Sequence, residues 1–441
     1  MFGRTLIFAF LTILTGCVAA PEPFKPTDVA RISMTAVSDK LWTVVYVLPK
    51  PVSELVFVRQ PDGSRVADWV AGPGFEIVQV DGLERIRSTD KRPFTEATFA
   101  VPPLYRDLPK DYAPFSPFGD GGLLAYTGRF FACPGECPAD ATWQMMLAAP
   151  GRTILTSGQS FSDEARWREG GDGQNVYVGK TQPVATADFL AVIDTALPEK
   201  IRGQLSQQLP QFMRFFAERM GNLDDRPMLF ASYDLSHQNG MGRQGGTLPG
   251  QVFVHFYGAG WPDRMSDSGF TDELAWHFAH EAAHLYQRQL FADTGRGAWI
   301  HEGGAEAMAA IALSLNGRGD AVRAHVAALA EKCGKILGSR SIHDALDGRD
   351  FDAAYACGLQ VNLTLDAELR QRVSNSDGIF TVWRRYLENA TSGTATEADF
   401  LTAIEQVGGV DLSTRIAALV STPQRDFPAA NLPTANGKPS W

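Results

Sequence analysis

Hydrophobic periodicity changes once along this 441-residue chain, and that change limits the folds open to it. From Ile32 to Thr181 the apolar residues come in short β-rich runs, such as Trp42 to Leu48, Leu55 to Val58, Phe75 to Val80 and Leu123 to Thr127. Turn formers punctuate them, as in Pro61-Asp62-Gly63 and Gly119-Asp120-Gly121-Gly122, which is the pattern of an antiparallel sandwich. Near Ala185 the texture shifts. Leu190, Val192, Ile193 and Leu197 lead into a helix predicted over Glu199 to Met220. Strand-like runs follow at Met228 to Tyr233 and Gln251 to Tyr257, with a Gly-rich loop expected between them at Gly240, Gly242, Gly245 and Gly246. From Thr271 the spacing is helical. Helices are predicted over Thr271 to Phe291, Trp299 to Leu315, Asp320 to Leu337, Asp350 to Arg370, Gly378 to Leu387, Glu397 to Gln406 and Leu412 to Val420. The expectation is an α+β, multidomain chain: an antiparallel β-sandwich-like domain over 32–184, then a mainly α-helical domain over 185–421. Each is large enough to bury its own core.

The ends of the chain read differently. Met1 to Arg4 is basic and Leu6 to Leu14 is apolar but too short to span a bilayer comfortably, the layout of an export signal. Leu14-Thr15-Gly16-Cys17 resembles the lipobox of bacterial lipoproteins, which implies removal of 1–16, acylation of Cys17 and a linker over 17–31 with the Pro-rich spacer Pro21 to Pro26. The alternative is an ordinary signal peptide with a chance cysteine. Val18 in place of an aspartate points to the outer membrane rather than the inner, with the protein on the periplasmic side. The 422–441 tail is polar and Pro-containing. A net charge of −10 argues against a general nucleic-acid binder. Of the five cysteines, Cys133 with Cys137 and Cys333 with Cys357 remain for two disulfides in an oxidising compartment. Half a zinc site is the alternative for Cys133 and Cys137, but no second Cys or His pair accompanies them.

Chemistry concentrates at His280-Glu281-Ala282-Ala283-His284, inside a predicted helix. Positions i and i+4 share a helix face, so both imidazoles can reach one cation while Glu281 flanks them. Zinc suits such a site: held at ~2.0–2.1 Å by neutral imidazoles, it brings a bound water to a pKa of about 7 for a neighbouring carboxylate to deprotonate. Thr271 is the expected N-cap, with Asp272 and Glu273 in the first turn. Glu302 follows His284 with seventeen residues between and opens the next helix, so an antiparallel pair joined through Gly295 and Gly297 can bring it back beside the histidines. One Zn²⁺ per chain is expected on His280, His284 and Glu302, with a position left open as in catalytic sites.

These residues resemble the gluzincin metallopeptidases, particularly the aminopeptidase N family, in which HExxH precedes a Trp-Leu-Asn-Glu-Gly segment. Here that segment is Trp299-Ile300-His301-Glu302-Gly303, one residue closer to HExxH than is usual in the family. The resemblance implies a thermolysin-like catalytic domain, Glu281 as general base, and Tyr355 of Tyr355-Ala356-Cys357-Gly358 as the donor to the oxyanion. A core tyrosine is the plain alternative for Tyr355. Glu306, four residues after Glu302, can accept a hydrogen bond from a ligand histidine or stand as a solvated carboxylate. His277 and His301 read as packing or cleft-lining residues, and His237, His325 and His343 as surface or loop residues. The family's Gly-x-Met-Glu-Asn segment, whose glutamate holds a free N-terminus, is replaced by Gly245-Gly246-Thr247-Leu248-Pro249, without a glutamate. Two functions follow as expectations: zinc-dependent hydrolysis of a peptide or protein substrate in the cell envelope, with the lipid anchor on the membrane; or a catalytically inactive peptidase-like lipoprotein serving as a binding or assembly module.

Overall fold

The computed structural model describes residues 22–108, 111–186, 189–236, 240–288, 295–373, 377–390 and 395–423. The expected leader, Cys17, His237 and the tail from 424 onward lie outside them.

The first domain is the expected sandwich of sheets. A nine-stranded sheet is centred on Asp28–Ser38, Leu41–Val52 and Thr142–Thr156, and a four-stranded sheet is built from Ala132–Cys133, Glu54–Phe57, Leu83–Ser88 and Phe75–Val80. Burial alternates residue by residue along Asp28–Ser38 and Leu41–Val52, as a strand with one face on a core requires. That core joins Trp42, Tyr46, Phe99 and Trp143 to Leu55, Phe57 and Ile86 of the smaller sheet. Two details depart from expectation. Asp28–Ser38 pairs in parallel with Thr142–Thr156, so the larger sheet is mixed. The same strand starts inside the 17–31 segment expected as linker, because Asp28 is held by Gln144 (2.8 Å) and Arg168 (2.8 Å).

The second domain begins with a five-stranded sheet. Its strands, labelled within this domain, are β1 (Val184–Ala185), β2 (Leu190–Ile193), β3 (Met228–Asp234), β4 (Gly242–Leu248) and β5 (Gln251–Tyr257), in the spatial order β1-β2-β3-β5-β4. The pairs β2 with β3 and β3 with β5 are parallel; β4 lies antiparallel to β5 at the edge. All seven residues of β3 are buried, because the sheet has no wet side. Ala191, Ile193, Leu229, Val252 and Val254 point into the helical core, whereas Leu190, Val192, Met228, Phe230 and Phe253 pack on Leu124, Tyr126, Leu155 and Tyr177 of the first domain. Polar clamps frame this second contact: Gln251 exchanges hydrogen bonds with the Asn175 backbone (2.8 and 2.7 Å).

The Gly-rich loop expected between two strands is itself strand β4, paired from Gly242 with Tyr257 to Leu248 with Gln251. Glycine disfavours strands, but here close approach selects it. A Cβ on Gly245 would sit 2.9 Å from the Phe253 carbonyl oxygen and 3.1 Å from the His277 imidazole, and one on Gly246 would sit 2.6 Å from the Tyr112 hydroxyl.

The helices relevant to the site are α1 (Glu199–Met220), α2 (Phe270–Tyr286), α3 (Ala298–Leu313), α4 (Gly319–Leu337) and α5 (Asp352–Arg372). Ile379–Asn389, Glu397–Gly408 and Val410–Ser421 complete the bundle. A short helix not anticipated, Ile342–Asp347, starts at a capping box between Ser341 and Asp344. Both cysteine pairs are disulfides, Cys133 to Cys137 and Cys333 to Cys357, the latter tying α4 to α5. No helix among the described residues is long and apolar enough to cross a membrane.

Candidate active site

Helix α2 carries His280, Glu281 and His284 on its buried side. Its start differs from expectation. Phe270 is buried and already helical, so Gly269 occupies the N-cap and Thr271 lies inside the first turn, its hydroxyl donating to the Ser268 carbonyl (3.0 Å). Asp272 and Glu273 do occupy the first turn, where the helix dipole favours negative charge.

Two glycines bring the other helices to α2. A Cβ on Gly303 of α3 would lie 2.3 Å from the carbonyl carbon of Gly358 of α5, so these helices cross with backbone in contact. The crossing sets Glu302 on α3 and Tyr355 on α5 over the histidines. Asn362 locks it, its side-chain amide donating to the carbonyls of Trp299 (3.0 Å) and Gly358 (2.9 Å).

The resulting cluster is compact. His280 Nε2 and His284 Nε2 are 3.0 Å apart, and Glu302 Oε2 lies 3.4 and 3.3 Å from them. Among the described residues this is the one group of three His, Cys or acidic side chains able to hold a metal ion. Donors at zinc's ~2.0–2.1 Å radius stand roughly 3.3 Å apart in a tetrahedron, so the triangle has the right size. Glu302 Oε2 is also buried without a hydrogen-bond partner, the state of an oxygen that a cation would satisfy. Burial works against the Glu302 charge, but the neighbouring His280 and His284 outweigh it and hold the carboxyl well below its usual range.

The remaining nitrogens face fixed partners. His280 Nδ1 lies 3.3 Å from Glu306 Oε1, and Glu306 Oε2 accepts from the Trp276 indole (2.6 Å), so Glu306 is a buried neighbour of the cluster and not a solvated carboxylate. His284 Nδ1 lies 2.8 Å from Gln287 Oε1, whose amide donates to the His301 carbonyl (3.0 Å) and bridges α2 to α3. Gln287 was not anticipated; its position three residues after His284, on the same helix face, is the signal that could have found it.

Glu281 is held from the sheet side. The Thr247 hydroxyl, on edge strand β4, donates to Glu281 Oε2 at 2.6 Å. Burial raises the carboxyl's pKa, yet His277, His280 and His284 together bring it below the ordinary glutamate value, so Glu281 is ionised at neutral pH. His277 does not join the cluster: its Nδ1 is 3.7 Å from Glu281 Oε1, and burial lowers its pKa to about 4. Nothing in the spacing of the sequence signals Thr247, because a strand thirty-four residues upstream delivers it.

Tyr355 is partly exposed at the mouth, its ring near-parallel to that of His280 at 5.9 Å. Burial of the hydroxyl and then the Glu302 charge push its pKa up, so it remains a proton donor. His301 lines the cleft together with Tyr112, which arrives from the first domain. Two other histidines depart from the surface or loop expectation: His325 of α4 packs on Trp276 with ring centroids 3.9 Å apart, and His343 lies 3.0 Å from Glu397.

The M1 zinc metallopeptidase of Deinococcus radiodurans, crystallised with a Tyr-Ser-Ala substrate, superposes with a TM-score of 0.52 at 17% identity, covering 92% of this chain and 95% of the other. The fold is that of the two-domain M1 zinc metallopeptidases. Yeast LTA4 hydrolase in complex with bestatin gives a TM-score of 0.54 at 12% identity, over 90% of this chain and 67% of the other. No protein-family model matches the sequence, and no curated protein does. The likeness to the M1 peptidases thus lies in backbone architecture, with few side chains shared.

Proposed function

We propose that this chain is a zinc-dependent peptidase of the cell envelope, exported and anchored through acylated Cys17. The observation that carries the catalytic part is the triangle of His280 Nε2, His284 Nε2 and Glu302 Oε2 with ionised Glu281 beside it. His280, His284 and Glu302 would hold one Zn²⁺, with Glu306 and Gln287 orienting the two imidazoles. When bound, the ion supplies Lewis acidity to a water and to the scissile carbonyl.

This chain's own groups do the rest. Glu281, aimed by Thr247, takes a proton from the attacking water as its oxygen bonds to the carbonyl carbon. Tyr355 donates a hydrogen bond to the oxygen that becomes negative. The C–N bond then breaks and Glu281 returns the proton to the leaving amine, giving a carboxylic acid and an amine, and the acid's remaining proton passes to the amine to leave carboxylate and ammonium. The complete donor set favours hydrolysis over the inactive-scaffold alternative. The two disulfides are in keeping with an oxidising compartment.

The test is Glu281→Gln alongside the parent protein. Metal analysis of both should give one zinc per chain, while hydrolysis of a mixed peptide library should vanish in the variant only. Full activity in Glu281→Gln removes the assigned base, and a parent protein that takes up no zinc removes the proposal.

A further inference from the structure

Two cavities meet at the cluster. One, of about 900 Å³, is walled by Tyr112, the Gly245 to Thr247 stretch of β4, His301 and Phe351. The other, of about 830 Å³, is walled by Trp276, His277, Arg243 and His325. His280, Glu281 and Tyr355 line both, so the reacting centre sits where they join. Strand β4 runs from one to the other, with Arg243 in the second and Gly245 to Thr247 in the first. It is an edge strand: β5 pairs with one side, and no strand among the described residues pairs with the other. Such an edge is a template for an extended chain.

An enzyme that reads a chain end must meet a full charge out of water, and a desolvated ammonium or carboxylate needs an opposite charge not already committed. Neither cavity offers one among its described residues. In the first, the carboxylates are Glu281, bound by Thr247, and Glu302, set against two histidines. In the second, each cation is paired with a lining carboxylate, and of the other two carboxylates Glu281 is the base and Glu306 faces His280 at 3.3 Å and the Trp276 indole at 2.6 Å. Arg243 lies 3.1 Å from Glu273, Arg264 lies 2.7 Å from Asp267, and Lys332 lies 2.8 Å from Asp352. Arg318 pairs with Asp272.

We infer that the site takes internal peptide bonds: an extended segment lies along β4, passes the cluster, and continues into both cavities with neither terminus recognised. This makes the protein an endopeptidase, and it rests on the peptidase reading above.

The probes are a decapeptide library with free ends and the same library N-acetylated and C-amidated. Product masses from the zinc-loaded protein should show cleavage at internal bonds of both, with kcat/KM differing less than about threefold. Binding to Glu281→Gln, followed by calorimetry, should likewise give matching Kd values for the two forms. A site that pairs with a terminal charge discriminates by roughly 10⁴-fold, so the alternatives are widely separated. Stepwise loss of single residues from free peptides, with blocked ones inert or unbound, overturns the inference while leaving the peptidase reading intact. Inertness toward both libraries overturns that reading as well.

Discussion

Gly303 of α3 and Gly358 of α5 meet backbone to backbone, and that contact is what carries Tyr355 to the histidines. A Cβ on Gly358 would lie 2.9 Å from both the Gly303 Cα and the Trp299 carbonyl oxygen, neither of which can swing aside. Gly358→Ala gains about 1 kcal/mol of helix propensity. Forcing two helices apart costs ~1–3 kcal/mol, and the steric term should win. Urea denaturation should show net destabilisation, and kcat should fall more than zinc content because Tyr355 moves while the three ligands stay on α2 and α3. A variant with parental stability and kcat would mean that the crossing accommodates a methyl group.

Among the described residues, Thr247 is the hydroxyl that donates to the Glu281 carboxylate. Thr247→Val keeps the shape and leaves a buried carboxylate oxygen short of a hydrogen bond, a loss of about 1–3 kcal/mol. The expected result is kcat lowered roughly tenfold with KM and zinc content unchanged. Thr247→Ser should restore most of it. Equal kcat in the valine variant would make Thr247 a packing residue only.

The two disulfides should differ in worth. Cys333 to Cys357 closes a loop with a sequence separation of 24, and Cys133 to Cys137 one of 4. Chain-entropy scaling gives about 3.5 kcal/mol for the first and about 2 kcal/mol for the second. Paired alanine variants compared by chemical denaturation should therefore rank in that order, with the Cys333 and Cys357 pair also lowering activity, since that bridge fixes α5 two residues beyond Tyr355.

Glu169 supplies a pH dependence remote from the site. Burial raises its carboxyl from 4.5 to about 7, with the hydrogen bond from Gln174 acting against the shift. A carboxyl whose folded pKa is raised binds more protons folded than unfolded over that interval. Its contribution is thus fully present below pH 4.5 and lost as pH rises through 7. Glu169→Gln should leave the melting temperature unchanged near pH 4 and raise it at pH 8. An identical pH profile in the variant would show that Glu169 ionises normally.

What the sequence disclosed followed what is local in a helix. His280, Glu281 and His284 were legible because i and i+4 share a face, and Glu302 because the next helix begins on it. The first domain was legible from its alternation, but not the parallel pairing of Asp28–Ser38 with Thr142–Thr156, which depends on how distant strands are threaded. Strand β4 was hidden because glycine reads as loop unless one knows that His277 and Tyr112 press against it. Thr247 and Tyr112 reach the site only through tertiary structure, which no spacing rule encodes. Thr271 misled for a simpler reason: burial of Phe270 started the helix one residue before the residue that looked like its cap.

A sheet with both faces dry makes the two domains thermodynamically one object. Freed of its partner, the second domain would present Val192, Phe230 and Phe253 to water as a sticky plane, and its cleft would lose the Tyr112 wall. Gln244 of β4 would lose its anchors too, the Ala113 amide and the Asp111 carbonyl, each 3.0 Å away. The β-rich half is therefore less an appendage than the far bank of the cleft, and excising it should yield an aggregating fragment rather than a smaller folded protein.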